Sequence, residues 1–124
     1  MIDKYKSIMR AAGELRDDIV GGRPPAMQVG STFKHGKPCC LGGWILTKAG
    51  YVPAPDETSN GAKVALTDFL GEKPPMWLNN EWYSIEEAND DLDIRKERKG
   101  AYLCMTLQGL MKAIVAEYPE LKPR

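Results

Sequence analysis

A chain of 124 residues, 43% apolar and 27% charged, is long enough to bury a modest core and is expected to fold as one domain, 1–124. The 17 Lys and Arg residues balance 17 Asp and Glu residues, so net charge gives no general attraction to nucleic acid or anionic membranes. Three cysteines, two of them adjacent, make no disulfide framework and point to reduced thiols in the cytoplasm.

The start, Met1-Ile2-Asp3-Lys4-Tyr5, is charged and amphipathic, so no secretory leader is expected. No apolar run reaches the ~18 residues of a membrane span. Residues 3–20 then read as an amphipathic helix with Tyr5, Ile8, Met9, Ala12, Leu15 and Ile19 on one stripe. Gly21-Gly22 ends it and Pro24-Pro25 prevents its resumption. Asp17 and Asp18 stand at the end where the helix dipole disfavours acids.

Met27, Val29 and Phe33 alternate, and His35-Gly36 is a turn signal, so a small β-hairpin with a return strand near Lys37–Cys40 is expected. Pro38 confines that strand to an edge. Leu41, Trp44, Ile45 and Lys48 then follow helical spacing, with Gly50 as the closing residue. Gly42 and Gly43 each cost roughly 1 kcal/mol in a helix relative to Ala, which implies that another backbone approaches closely. Trp44 and Ile45 are expected to face the core.

Residues 51–61 are loop by composition. Residues 62–70 form a short helix with Val64, Ala65, Leu66, Phe69 and Leu70 inward, closed by Gly71. Lys73-Pro74-Pro75 breaks the chain again. Met76-Trp77-Leu78, then Asn79-Asn80, then Trp82-Tyr83 reads as a second small hairpin or an extended aromatic crossing. Ser84-Ile85-Glu86-Glu87 matches a capping box, opening a helix with acids first and Arg95, Lys96, Arg98 and Lys99 later, with a break near Leu92. Residues 101–118 carry Leu103, Leu107, Leu110, Met111, Ile114, Val115 and Tyr118 at helical spacing, with Cys104 on the flank, and Pro119 stops the helix.

The architecture expected is therefore α+β, mainly α, with about five helices around a short central helix and one small hairpin. The terminal helices pack with the 41–49 helix.

Cys39 and Cys40 stand at a helix N-terminus near Lys34, His35 and Lys37, a setting that can lower a thiol pKa. The competing interpretation, two small buried hydrophobes, is the favoured one. His35 with the cysteines supplies zinc-ligand types but no chelating spacing. The run Asn89–Asp93 lacks the Gly and terminal Glu of a calcium loop. The glycine pairs match no nucleotide-binding loop. No cofactor or metal is expected. A nucleic-acid face would combine Arg95, Lys96, Arg98 and Lys99, extended by Lys112, with Trp77, Trp82 and Tyr83 as stacking platforms.

One resemblance adds context. Cys39-Cys40-Leu41-Gly42, Ala49-Gly50, Leu66–Gly71, then Leu78-Asn79-Asn80 leading to Tyr83-Ser84-Ile85-Glu86-Glu87-Ala88, resembles a loose family of small proteins encoded by tailed bacteriophages and prophages. The likeness covers roughly residues 37–90. The chain differs from the family pattern at Asn80, where Asp is usual, and at Gly43-Trp44, where aliphatic residues are commoner. The resemblance lends no catalytic residues. It implies an accessory protein in the bacterial cytoplasm. The function expected is a non-enzymatic binding protein that inhibits or redirects a host or defence protein through Trp77, Trp82, Tyr83, Glu86, Glu87, Arg95, Lys96, Arg98 and Lys99. The alternatives are a small enzyme or redox protein using Cys39 or Cys40 with His35, and a nucleic-acid binder.

Overall fold

The computed structural model describes residues 2–27, 32–58, 62–91 and 95–122, without the side chains of residues 62, 63 and 96. The structure is α+β and mainly helical: α1 (Ile2–Val20), a hairpin of β1 (Phe33–Lys34) and β2 (Lys37–Pro38), α2 (Leu41–Lys48), α3 (Ala62–Leu70), α4 (Met76–Asp90) and α5 (Lys96–Glu117). A single 3₁₀ turn follows at Pro119–Leu121. Among the described residues no helix is long and apolar enough to cross a membrane.

α1 buries Tyr5, Ile8, Ala11, Ala12 and Leu15, a stripe that α5 and α2 cover. α5 answers with Leu103, Leu107, Leu110 and Ile114, which are four, three and four residues apart. α2 packs against α1, α3 and α4, so it is the central rod, and Leu41, Ile45 and Leu46 are fully buried. Trp44 is half-buried at its edge, where its indole N–H donates to the Ala26 carbonyl at 3.0 Å. An aromatic trio joins three helix ends: Tyr5 stacks on Tyr118 with centroids 5.0 Å apart and meets Trp77 at 5.4 Å.

α2 is only 8 residues long, and neighbours secure both its ends. At its N-terminus Cys40 makes no side-chain cap; the Asn89 carboxamide oxygen of α4 accepts the Leu41 N–H at 3.1 Å instead. At its C-terminus the Arg10 guanidinium of α1 donates to the Lys48 carbonyl at 3.0 Å. Gly50 closes the helix at φ +109°, letting the Tyr51 N–H reach back to the Leu46 carbonyl at 2.9 Å. The close approach implied by the glycine pair is present. A Cβ on Gly43 would lie 2.2 Å from the Thr32 carbonyl oxygen, while one on Gly42 would meet the edge of the Trp82 indole at 3.2 Å.

The hairpin is antiparallel, with Phe33 opposite Pro38 and Lys34 opposite Lys37. His35 and Gly36 both take positive φ, 52° and 75°, as a tight turn between right-twisted strands requires. The turn is docked rather than free: the Gly36 N–H donates to the Glu57 carbonyl at 2.9 Å and the His35 N–H to the Thr58 hydroxyl at 3.2 Å. Val29, assigned to this hairpin from its alternation, lies outside the described residues, as does Leu92, where a helix break is expected.

The largest departure from expectation is at residues 76–83, which are helical rather than a second hairpin. Pro75 takes the N-cap position in an extended conformation, and its carbonyl accepts from the Leu78 and Asn79 N–H groups. Leu78, Trp82, Ile85 and Ala88 then form one buried stripe. Ser84 is therefore mid-helix and caps nothing; its hydroxyl donates to the Asn80 carbonyl one turn back, at 3.2 Å. α5 starts at Lys96 instead of residue 101, so the basic cluster opens α5 rather than closing the preceding helix. Val64, expected inward, is 59% exposed.

The glycine pair gives a direct test by urea unfolding. Gly43→Ala is expected to cost about 1–3 kcal/mol, because backbone on both sides resists the new methyl. Gly42→Ala is expected to be close to neutral, since a helix-propensity gain of about 1 kcal/mol opposes a small shift of the Trp82 ring.

Candidate functional site

The two thiols at the start of α2 are 7% and 6% exposed, for Cys39 and Cys40 respectively. The Cys39 thiol faces the Lys37 carbonyl at 3.6 Å. Burial pushes the Cys40 thiol above its ordinary value, and the Gly43 amide, the Thr32 hydroxyl and the Gly42 amide oppose that only partly. The helix N-terminus thus does not make this cysteine a ready thiolate. His35 sits exposed at the hairpin tip, with its backbone N–H already engaged by Thr58. Cys104, on α5, is half-buried, and burial raises it too. Among the described residues no group of three or more His, Cys, Asp or Glu side chains could hold a metal ion.

The fold divides the contact residues named from sequence between core and surface. Trp82 is 0% exposed, so it belongs to the core and cannot stack on a partner. Trp77 is half-buried against Tyr5. Tyr83 is exposed, and the Glu87 carboxylate beside its hydroxyl raises its pKa. Glu87 is exposed and Glu86 half-buried on the same helix. Arg95 and Arg98 are exposed at the start of α5, while the Lys96 side chain lies outside the described residues. Lys99 turns inward: its ammonium donates to the carbonyls of Ala88, of Asn89 at 3.0 Å and of Asp91 at 2.9 Å, at the C-terminal end of α4. That cation neutralises the negative end of α4 and is not a free surface charge.

Asp18, at the disfavoured end of α1, is also explained. The Lys48 ammonium at the end of α2 lies 3.6 Å from Asp18 and 3.9 Å from Glu14, so one lysine ties the two helix ends together.

A feature that sequence reasoning missed runs along the seam between α1 and α5. An open groove there, with adjoining parts of about 420 and 490 Å³, has Met9, Gly13, Met111 and Val115 as its apolar floor. The Met111 sulfur lies over Gly13, 3.8 Å from where a Cβ would stand, an ordinary van der Waals contact. The rim is basic: Lys6, Arg10 and Arg16 from α1, Lys112 from α5 and Lys122 beyond the 3₁₀ turn, with Glu120 as the acid among them. Arg16 pairs with Asp17 at 3.2 Å and Arg10 with Glu14 at 3.9 Å. Lys6, Lys112 and Lys122 make no ion pair among the described residues. Past Gln108 the seam continues as a mostly apolar trough floored by Ile19, Val20, Ala101 and Met105, with the Cys104 thiol beside them. The signal was present in the sequence, since Lys6, Arg10, Gly13 and Arg16 recur at three- and four-residue spacing on a second face of α1.

Two measurements separate structural groups from available ones. Lys99→Met is expected to lower stability by about 1 kcal/mol or more, by leaving α4 carbonyls without their cation, whereas Arg98→Met changes little. The Cys40 thiol loses its proton less readily folded than unfolded. Its contribution to stability is therefore full below its ordinary value of 9.0 and is lost as pH rises beyond that toward the folded pKa; Cys40→Ala is expected to flatten that part of the pH profile.

Comparison with protein families, with characterised proteins and with solved structures finds no match to this chain.

Proposed function

We propose that the chain is a non-enzymatic binding protein, an accessory component of a tailed phage or prophage that docks on a host or defence protein in the bacterial cytoplasm and modulates it. The observation that carries this reading is the α1/α5 groove: a half-buried methionine floor, open to the surface, with a mostly basic rim in a chain whose total charge is balanced. Methionine is flexible and polarisable, and surfaces rich in it adapt to apolar partner side chains. The order of motifs from Cys39 to Ala88 supplies the phage context by resemblance. The burial of both adjacent thiols, with His35 out at the hairpin tip, favours a packing role for Cys39 and Cys40 over a Cys/His enzyme.

The test is affinity capture from bacterial lysate with the purified chain as bait, followed by mass spectrometry and by reconstitution with the purified candidate. One host protein that binds at micromolar concentration, and whose own activity changes on binding, is the expected result. No saturable partner at that concentration refutes the reading.

A further inference from the structure

The α1/α5 seam has a length, a chemistry and a polarity that together specify an occupant. From Ala101 to Val115 its α5 wall rises about 21 Å, roughly four turns of helix. One end carries no charged side chain in its lining and is mostly apolar, around Val20 and Met105, which are 75% and 66% exposed. The other end joins Met9 and Met111 to the cations Lys6, Lys112 and Lys122. A groove between two helices, with apolar residues along the floor and a rim where cations outnumber the single acid Glu120, is the complement of an amphipathic helix.

Deepening the binding-protein reading and resting on it, we propose that this seam receives an amphipathic helix of a partner protein, about four turns long, with apolar side chains along one stripe and acidic residues flanking that stripe at one end. The apolar stripe lies on Met9, Met105 and Met111, and the acidic end lies against Lys6, Lys112 and Lys122. A predominantly basic rim acts mainly on encounter rate and orientation, so the pairing is salt-dependent and directional.

The probe is a labelled, end-capped helical peptide of about 18 residues with Leu at helical spacing and Glu flanking one end, read by fluorescence anisotropy. The control peptide keeps the Leu stripe and carries Lys in place of Glu. The expected result is saturable binding of the Glu peptide that weakens at least ~10-fold with Lys112→Glu/Lys122→Glu and weakens as salt rises, with the Lys peptide binding less well. Both substituted lysines are exposed, so the double variant is expected to stay folded, and its helical content and unfolding midpoint check that. Met111→Glu reaches the floor and is expected to abolish binding.

Equal binding of the two peptides, or an unaffected double variant, overturns the proposal. So does binding confined to anionic lipid vesicles, which would make the groove a lipid-surface site. Self-association that the double variant abolishes overturns it as well, since a second copy would then be the occupant. A host partner whose capture survives Lys112→Glu/Lys122→Glu sinks the groove assignment and leaves the binding function standing. A peptide that binds as expected while lysate yields no partner does the reverse.

Discussion

The fold depends on an 8-residue helix that could not persist alone. α2 carries two glycines, has no side-chain cap of its own, and is too short to offset its own nucleation cost. Its stability comes from outside: a carboxamide of α4 at its first amide, a guanidinium of α1 at its last carbonyl, and backbone pressed against Gly43. Each of these holds only when the other elements are already placed. Helices α1 and α4, both packed on α5, thus form a frame, and α2 is the piece that locks it.

The same device recurs at other helix ends. The Lys4 ammonium donates to the Leu70 carbonyl at the end of α3, Arg10 serves α2, and Lys99 serves α4. Each of these three helix C-termini ends in carbonyls without intrahelical partners and a negative partial charge, which a cation from another element satisfies. Two subsets of the basic residues stand out. One, Lys4, Arg10 and Lys99, is spent on helix ends; the other, Lys6, Lys112 and Lys122, gathers at the groove. Equal totals of acids and bases conceal that local excess, which is why net charge said nothing about the groove.

What was legible in the sequence was local. The stripes of α1 and α5, the turn at His35-Gly36, the closure at Gly50 and the tight surroundings of the glycine pair all followed from period or backbone freedom. What was not legible was where a residue's partner lies elsewhere in the chain. Met76–Tyr83 resembled paired strands because aromatics and an Asn-Asn pair mimic strand and turn, yet Leu78, Trp82 and Ile85 share a helical stripe that packing against α5 and α2 decides. Ser84 had the composition of a cap, but Pro75 had already begun the helix. Lys99 looked like part of a basic patch until the end of α4 came within its reach. The groove is a property of two helices far apart in sequence, and no single window contains it.

Trp82 has a consequence of a different kind. Its indole is wholly buried, lies against Gly42, and has no hydrogen-bond partner for Nε1 among the described residues. An indole in so dry a setting emits at shorter wavelength than one in water, while Trp44 and Trp77 are half-buried. The molecule therefore carries its own optical gauge at the α2–α4 contact, on a different pair of elements from the α1/α5 seam. Loosening of the locking helix would show as a red shift, and occupancy of the groove would leave that colour unchanged.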